Sequence, residues 1–358
     1  MMKQIYLLLA LLPMVMGGCT TQEAAQEEVQ RVIYLIGDGM GLAQVSMLEI
    51  EGGYAPTAFD RAECVALVTT RSANNRVTDS AAAGTALATG TKVNNSVLGI
   101  TPDSVELTSM MELARDRGRA TGLVVTCYLQ HATPASFYAN VLNRGMNEQI
   151  TEQLMACDFD VLIGGGMRWL DSLHCCQMVE RGYQVAYNLE EAMPINSTPL
   201  LVLLADKHLP HAPERGDYLP QATQKALDLL AANPEGFLLM VEGSQIDSAG
   251  HAKDAAYLLA EMRDFERTVA IAMDFADKHP GTLVVVTADH ETGGLSMPSG
   301  KSDFTLSESG IDYRFGTGSH SAIRVPAFFY GAGADRFPAM MDNTELAKRL
   351  MEVMGLQQ

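Results

Sequence analysis

The stretch RVTDSAAAGTALATG, residues 76–90, places a hydroxyl, Ser80, between Asp79 and a run of little but Ala, Gly and Thr. A serine ahead of such a run caps a helix, where backbone N–H groups and the positive end of the helix dipole converge on its side chain. That position suits a bound anion. It equally suits an ordinary N-cap on a tightly packed helix, so other segments have to decide. Three have metal-ligand character: VEGSQIDSAGH with Glu242, Asp247 and His251, TADHETGG with Asp289 and His290, and GTGSHS with His320. Zinc accepts imidazole nitrogen and carboxylate oxygen readily, and a catalytic zinc site leaves a position open for water or substrate. A single histidine of this kind reads as a core or turn residue. The set, in this order, reads as a metal site.

Such side chains need elements that bring them together. The apolar runs RVIYLIGDGMG, CVALVTT, ATGLVVTC, DVLIGGG, LLVLLA, GFLLMVEG, GTLVVVTADH and RVPAFFYGAG alternate with helix-like segments at 104–117, 219–232 and 254–279. In the last of these, Leu258, Met262, Phe265, Val269, Ala272 and Ala276 recur three or four residues apart and form one face. Strands without polar alternation, separated by helices, predict an α/β three-layer sandwich: a central, mostly parallel sheet covered by helices on both faces. Asp38 follows VIYLIG, Glu242 follows FLLMV and Asp289-His290 follow LVVVTA, so these groups should meet on the rim beyond the carboxyl ends of the strands. No internal repeat or composition break divides residues 31–358, which are read as a single catalytic domain.

At 358 residues with 47% hydrophobic content the chain can bury a large core. The formal net charge of −18, with no Lys/Arg run, argues against nucleic acid or an anionic membrane surface as the partner. An acidic protein that handles an anion needs local positive charge, which metal ions supply compactly. The N-terminus, MMKQIYLLLALLPMVMGGCT, has Lys3, an apolar core from Ile5 to Met16 too short for a permanent span, and small residues before Cys19. Residues 1–18 are therefore read as a lipoprotein-type signal peptide and 19–30 as a flexible tether. Lipidated Cys19 would anchor an exported protein to a membrane, in the periplasm or on the outer membrane. Ordinary signal cleavage near Gly17-Gly18 is the alternative. Cys64, Cys127, Cys157, Cys175 and Cys176 show no CxxC spacing and no disulfide framework, and are read mostly as core packing.

The segments IGDGMG, VTDSAAAGTA, VEGSQID, TADH and GSH, in that order, resemble the alkaline phosphatases in a compact bacterial form. The resemblance runs from IGDGMG to TGSH. It implies hydrolysis of small-molecule phosphate monoesters to an alcohol and inorganic phosphate, with Ser80 as the nucleophile that becomes a covalent phosphoserine. It implies one zinc ion on Asp38, Asp289, His290 and the Ser80 oxygen, and a second zinc on Asp247, His251 and His320. A third ion, usually magnesium, would lie on Asp38, Thr133 and Glu242 with His131 beside it. HATPASFYANVLNR resembles the family segment that ends in the phosphate-binding arginine, which implies that role for Arg144. Imidazole suits zinc better than magnesium, so His131 is expected to make the third site less selective and to admit zinc.

A sulfatase would need a CxPxR signature, and Ser80 is instead followed by Ala81-Ala82-Ala83. A phosphodiesterase would share the two zinc sites but should lack Thr133, Glu242 and Arg144. A non-catalytic phosphate- or metal-binding lipoprotein has no need of an intact Ser80. Two features depart from the resemblance. Ser248 follows Asp247 where relatives commonly carry Lys, His or Trp, and only a short Ser/Gly-rich segment separates His290 from His320 where larger relatives insert a domain that caps a dimer. Homodimerisation is thereby left open.

Overall fold

Apolar runs that turn nothing polar to solvent become the inner strands of one sheet. The computed structural model describes residues 28–301, 305 and 307–357, so the signal-peptide and Cys19 readings lie outside the described residues. Its strands are β1 (Arg31–Gly37), β2 (Cys64–Thr69), β3 (Ala120–Tyr128), β4 (Val161–Gly165), β5 (Gln184–Ala186), β6 (Leu200–Leu203), β7 (Phe237–Gly243) and β8 (Thr282–Thr287). They continue with β9 (Glu291–Thr292), β10 (Leu295–Ser296), β11 (Arg314–Phe315), β12 (His320–Ser321), β13 (Val325–Gly331) and β14 (Met340–Asp342). Ten of them form one sheet in the order β14-β2-β13-β8-β1-β7-β3-β4-β6-β5, and β9 with β12 and β10 with β11 make small antiparallel pairs. Only β13 is antiparallel to its neighbours in the large sheet. The eight runs singled out in the sequence are all strands of that sheet.

Two groups of helices cover it. Leu42–Glu51, Tyr218–Leu230 and Ala255–Lys278 pack against one another, as do Ser80–Thr89, Met110–Asp116 and Asn343–Val353. In the long helix Ala255–Lys278, Leu258, Met262, Phe265, Val269 and Ala272 are buried, as their spacing requires, and Ala276, the last of the expected face, is half-buried. No helix among the described residues is long and apolar enough to cross a membrane.

Two boundaries differ from expectation. The helix expected from residue 104 starts at Met110, because Ser109 and Glu112 close a reciprocal capping box there while Ser104 turns back at φ 63°. Val29 and Gln30, expected in the tether, are part of the fold. Val29 is buried in the core and the Gln30 N–H donates to the Gly281 carbonyl.

Sheet register sets the rim. Ile36 on β1 is level with Glu242 on β7 and with Thr287 on β8, and Val125 on β3 is level with Glu242 on its other side. Asp38, Glu242, Asp289 and the residues after β3 therefore emerge together at the carboxyl ends of four adjacent strands. The chain leaves β1 toward β2 on one side and reaches β3 on the other, the switch-point arrangement at which open α/β sheets hold ligands.

The small residues of Ser80–Thr89 let that helix sit close to its neighbours. At Gly84 a Cβ would lie 2.6 Å from Ser136 Oγ and 3.4 Å from the Thr133 Cα. Helix propensity alone favours Gly84→Ala by about 1 kcal/mol. The clash is larger, since it would dislodge a hydroxyl that donates to the Thr133 carbonyl at 2.7 Å, and overpacking of this kind costs about 1–3 kcal/mol. Gly84→Ala is expected to lower the midpoint of urea unfolding; a raised midpoint would mean that the helix has room to spare.

Candidate active site

Ser80 opens its helix but does not cap it. The N-cap is Asp79, whose Oδ1 accepts the Ala82 N–H at 3.1 Å, which leaves the Ser80 hydroxyl free. This corrects the capping expectation: a carboxylate one residue earlier reaches the same orphan N–H, so the serine need not. Ser80 is 2% exposed and its Oγ stands 3.2 Å from His290 Nε2. The other oxygen of Asp79 accepts the Ser96 N–H and an Arg144 N–H at 3.2 Å. A second Arg144 nitrogen lies 3.3 Å from His131 Nε2. The same carboxylate thus caps the serine helix and aims the guanidinium beside it.

Around Ser80 the acidic and imidazole groups fall into three sets of mutually close ligand atoms. Asp38, Asp289 and His290 form the first, with His290 Nε2 at 3.1 Å from Asp289 Oδ2 and 3.5 Å from Asp38 Oδ1. Asp289 is held by the N–H groups of Gly39 and His290 through Oδ1, which leaves Oδ2 toward the set. Asp247, His290 and His320 form the second, His320 Nε2 lying 3.5 Å from Asp247 Oδ1. His251 stands at its edge, with Nε2 3.2 Å from Asp247 Oδ2 and its side chain 40% exposed. Nδ1 of His251 faces the Gly318 carbonyl and Nδ1 of His320 the Thr78 carbonyl, each at 2.9 Å. Backbone acceptors of this kind fix a ring so that Nε2 points at an ion. The third set is Cys127, His131 and Glu242, with Thr133 fully buried nearby in sequence to His131.

The buried acids of the site repel one another. Burial, reinforced by Asp289, Asp247 and Glu242, pushes the Asp38 carboxyl well above the usual carboxylate range, and burial lifts Glu242 to about 7. Burial also opposes ionisation of Asp247, but the hydrogen bond with His251 and the charges on His290 and His320 hold its carboxyl below the usual range. Burial and the Arg144 charge push His131 down to about 3, whereas the Asp247 hydrogen bond lifts His251 to about 9. Oδ2 of Asp38, Oε1 of Glu242, Oγ1 of Thr133 and Nδ1 of His131 are buried without a hydrogen-bond partner, and Oδ1 of Asp38 and Oδ2 of Asp289 face only the His290 ring. Orphaned buried carboxylates cost several kcal/mol each unless a cation neutralises them. This carboxylate and imidazole donor set fits divalent ions, zinc above all.

The sequence-selected residues Asp38, Ser80, His131, Thr133, Arg144, Glu242, Asp247, His251, Asp289, His290 and His320 all lie at this rim. Three others were not singled out. Asp79 anchors Arg144, Thr292 donates to Asp247 and lies 3.2 Å from His290 Nδ1, and Cys127 contacts Glu242. The TADHETGG motif contains Thr292, but its role depends on a contact 45 residues away.

The arrangement has relatives. The family model for alkaline phosphatase matches residues 29–314. Alkaline phosphatase 3 of Bacillus subtilis is 34% identical over 93% of this chain and 76% of its own length. The Escherichia coli alkaline phosphatase is 30% identical, over 93% of this chain and 88% of its own length. The solved alkaline phosphatase of the Antarctic bacterium TAB5 superposes with a TM-score of 0.88 at 35% identity, covering 93% of this chain and all of that one. A histidine-to-aspartate variant of that enzyme holds Mg at a site designated M3. The family-model match over most of the chain and these relatives together show that this chain, with its buried serine at a helix N-terminus and its carboxylates in need of cations, belongs to the alkaline phosphatase family as a phosphatase acting on phosphate monoesters.

Proposed function

We propose that the chain hydrolyses phosphate monoesters in two displacements at phosphorus, with Ser80 as the covalent relay. The observation that carries this is the Ser80 hydroxyl, buried at a helix N-terminus and in contact with His290, which belongs to two of the three ligand sets. In the first displacement the Ser80 Oγ–phosphorus bond forms as the ester oxygen–phosphorus bond breaks and the alcohol departs. In the second, water cleaves phosphoserine to inorganic phosphate and restores the hydroxyl. Asp38, Asp289 and His290 would hold one zinc ion beside Ser80, and Asp247, His251 and His320 a second. Asp38, Thr133 and Glu242 would hold a third ion, with His131 beside it. When bound, these ions supply Lewis-acid charge that stabilises the anionic oxygens of the transition state.

The protein's own groups supply position. The helix N-terminus favours the added phosphoryl charge on Ser80, and Asp79 keeps the Arg144 fork turned to the same place, where it can take phosphoryl oxygens. Arg144→Ala is expected to weaken inhibition by phosphate and to lower kcat/KM by about 1.5–3 kcal/mol, the range for a hydrogen bond to a charged group. An unchanged inhibition constant would assign the clamp elsewhere. The proposal as a whole is tested by assaying a chromogenic monoester against the matching diester, before and after chelation, and by acid-quenching enzyme incubated with labelled phosphate. Preference for the diester, or label on a residue other than Ser80, rejects it.

Export and anchoring through Cys19 complete the proposal, on the strength of the N-terminal sequence. Palmitate incorporation in a Gram-negative host, abolished in Cys19→Ser with activity retained, is the expected result. Label that persists in Cys19→Ser would remove the anchor.

A further inference from the structure

Beyond Arg144 the rim carries a wall of aromatic rings. Tyr128 ends β3, and the turns after β4 and β6 bring Trp169 and His208 against it. The Tyr128 ring centroid lies 4.7 Å from that of Trp169, tilted by 40°, and 5.0 Å from that of His208 at 70°. His131, whose Nε2 is 3.3 Å from an Arg144 nitrogen, joins the wall to the arginine, with its ring 5.1 Å from Tyr128 and 5.5 Å from His208. The Lys207 ammonium stands 5.9 Å from the Trp169 ring centroid. Tyr128 and Trp169 are half-buried, His208 is exposed, and none of the three belongs to the hydrophobic core. The backbone holds them in place. The Gly166 and Met167 N–H groups donate to the Ala205 carbonyl, the Arg168 N–H to that of Asp206 and the Leu209 N–H to that of Thr126, which ties the two turns to each other and to β3. A Cβ at Gly165 would collide with the Lys207 carbonyl oxygen, so only glycine lets the second turn cross the end of β4.

We propose that Tyr128, Trp169 and His208 form a stacking subsite for a nucleobase, which makes nucleoside monophosphates the preferred substrates. The inference rests on the phosphate-monoester reading above and names a substrate class for that same site. Every base has a π-face, so an aromatic wall takes bases without reading their edges. The order of the groups selects the class. From the Arg144 fork the wall runs through His131 to Tyr128 and only then to Trp169, so the ring it takes is separated from the phosphoryl group by a sugar-sized spacer. Ribose is such a spacer. A phenyl ester, with its ring directly on the ester oxygen, stops short of Trp169. Lys207 adds positive charge beside the wall of an acidic protein, which favours the approach of an anionic ester. Because the turns are already fixed by their backbone hydrogen bonds, little ordering is needed when the base settles.

Trp169 is the only tryptophan of the chain, so its fluorescence reports on this wall alone. Full-length, metal-replete Ser80→Ala, which should hold an ester without passing it on, is titrated with adenosine monophosphate and in parallel with glycerol phosphate. Excitation is at the red edge of the tryptophan band, where adenine is transparent. The nucleotide is expected to quench the emission saturably and glycerol phosphate to leave it unchanged. With Ser80 intact, Trp169→Ala is expected to raise KM for adenosine monophosphate about tenfold at unchanged kcat, an effect of the size one stacked base gives, and Trp169→Phe to recover most of it. KM for glycerol phosphate and for phenyl phosphate should stay within about twofold of wild type, which also shows that the variant is folded. Absence of quenching by the nucleotide, or an equal loss on the nucleotide and on phenyl phosphate, overturns the stacking subsite and leaves the monoester reading intact. Failure of wild type to turn over any of the three esters overturns both.

Discussion

Ser80→Ala is expected to abolish phosphoserine formation and to cut turnover of a monoester by more than the roughly 10²–10³-fold that loss of a single electrostatic donor costs in an enzyme. The reason is that it removes the atom on which the two displacements meet, while every charged group stays in place. The substitution is structurally mild. Asp79, not Ser80, caps the helix, so the N-terminal turn keeps its hydrogen bond to Ala82, and alanine fits a helix that already runs Ala81-Ala82-Ala83. Thermal stability and phosphate binding should therefore change little, and the loss should appear in kcat. Residual hydrolysis by direct attack of water on the bound ester is the expected background. A variant that still accumulates label on acid quench, or one that turns over within tenfold of wild type, would show that another group is the nucleophile.

The second large effect is on stability and lies away from the chemistry. The Arg215 side chain is 3% exposed and bridges two carboxylates of the long helix Ala255–Lys278. Its Nη2 stands 2.6 Å from Glu261 Oε2 and 2.7 Å from Asp264 Oδ2, with those side chains 1% and 0% exposed. Glu261 also accepts the Ala212 N–H at 2.8 Å, and Arg267 reaches the far oxygen of Asp264 at 2.9 Å. Burial opposes the Arg215 charge, but the hydrogen bonds and charges of Glu261 and Asp264 hold its pKa above the usual value. Replacing a whole buried network with apolar groups can be neutral, whereas removing one partner strands the others. Arg215→Met leaves Glu261 without its cation and Asp264 with only half-exposed Arg267. The expected loss is about 3–5 kcal/mol of folding free energy, seen as a lowered Tm and a lower urea midpoint at unchanged slope. The folded fraction should keep its kcat. A Tm within a degree of wild type would mean that water or a neighbour takes over from the guanidinium.

Much of the site was legible in the linear order of residues, for a definite reason. A parallel sheet brings successive strand ends to one rim, so an acid after VIYLIG, another after FLLMV and an Asp-His pair after LVVVTA must meet there once the strands are recognised. The periodicity of residues 254–279 likewise required one buried face and obtained it. What local sequence could not decide depends on contacts made across the fold. Asp79 caps the serine helix and at the same time anchors Arg144, 65 residues later, a pairing that no spacing rule contains. Cys127 looked like core because cysteines usually are; only the shift at the end of β3 and the register of β7 beside it set its sulfur against Glu242, 115 residues away. His290 was assigned to one ligand set, and the approach of β9 to β12, which brings His320 to stack on it at 3.6 Å, places it in two. Strand formation follows from side-chain type and pattern, which are local. Which polar atoms are left unpaired in the interior, and so which ones call for a cation, is set by the summed positions of all the strands and helices around them, and that only the tertiary structure fixes.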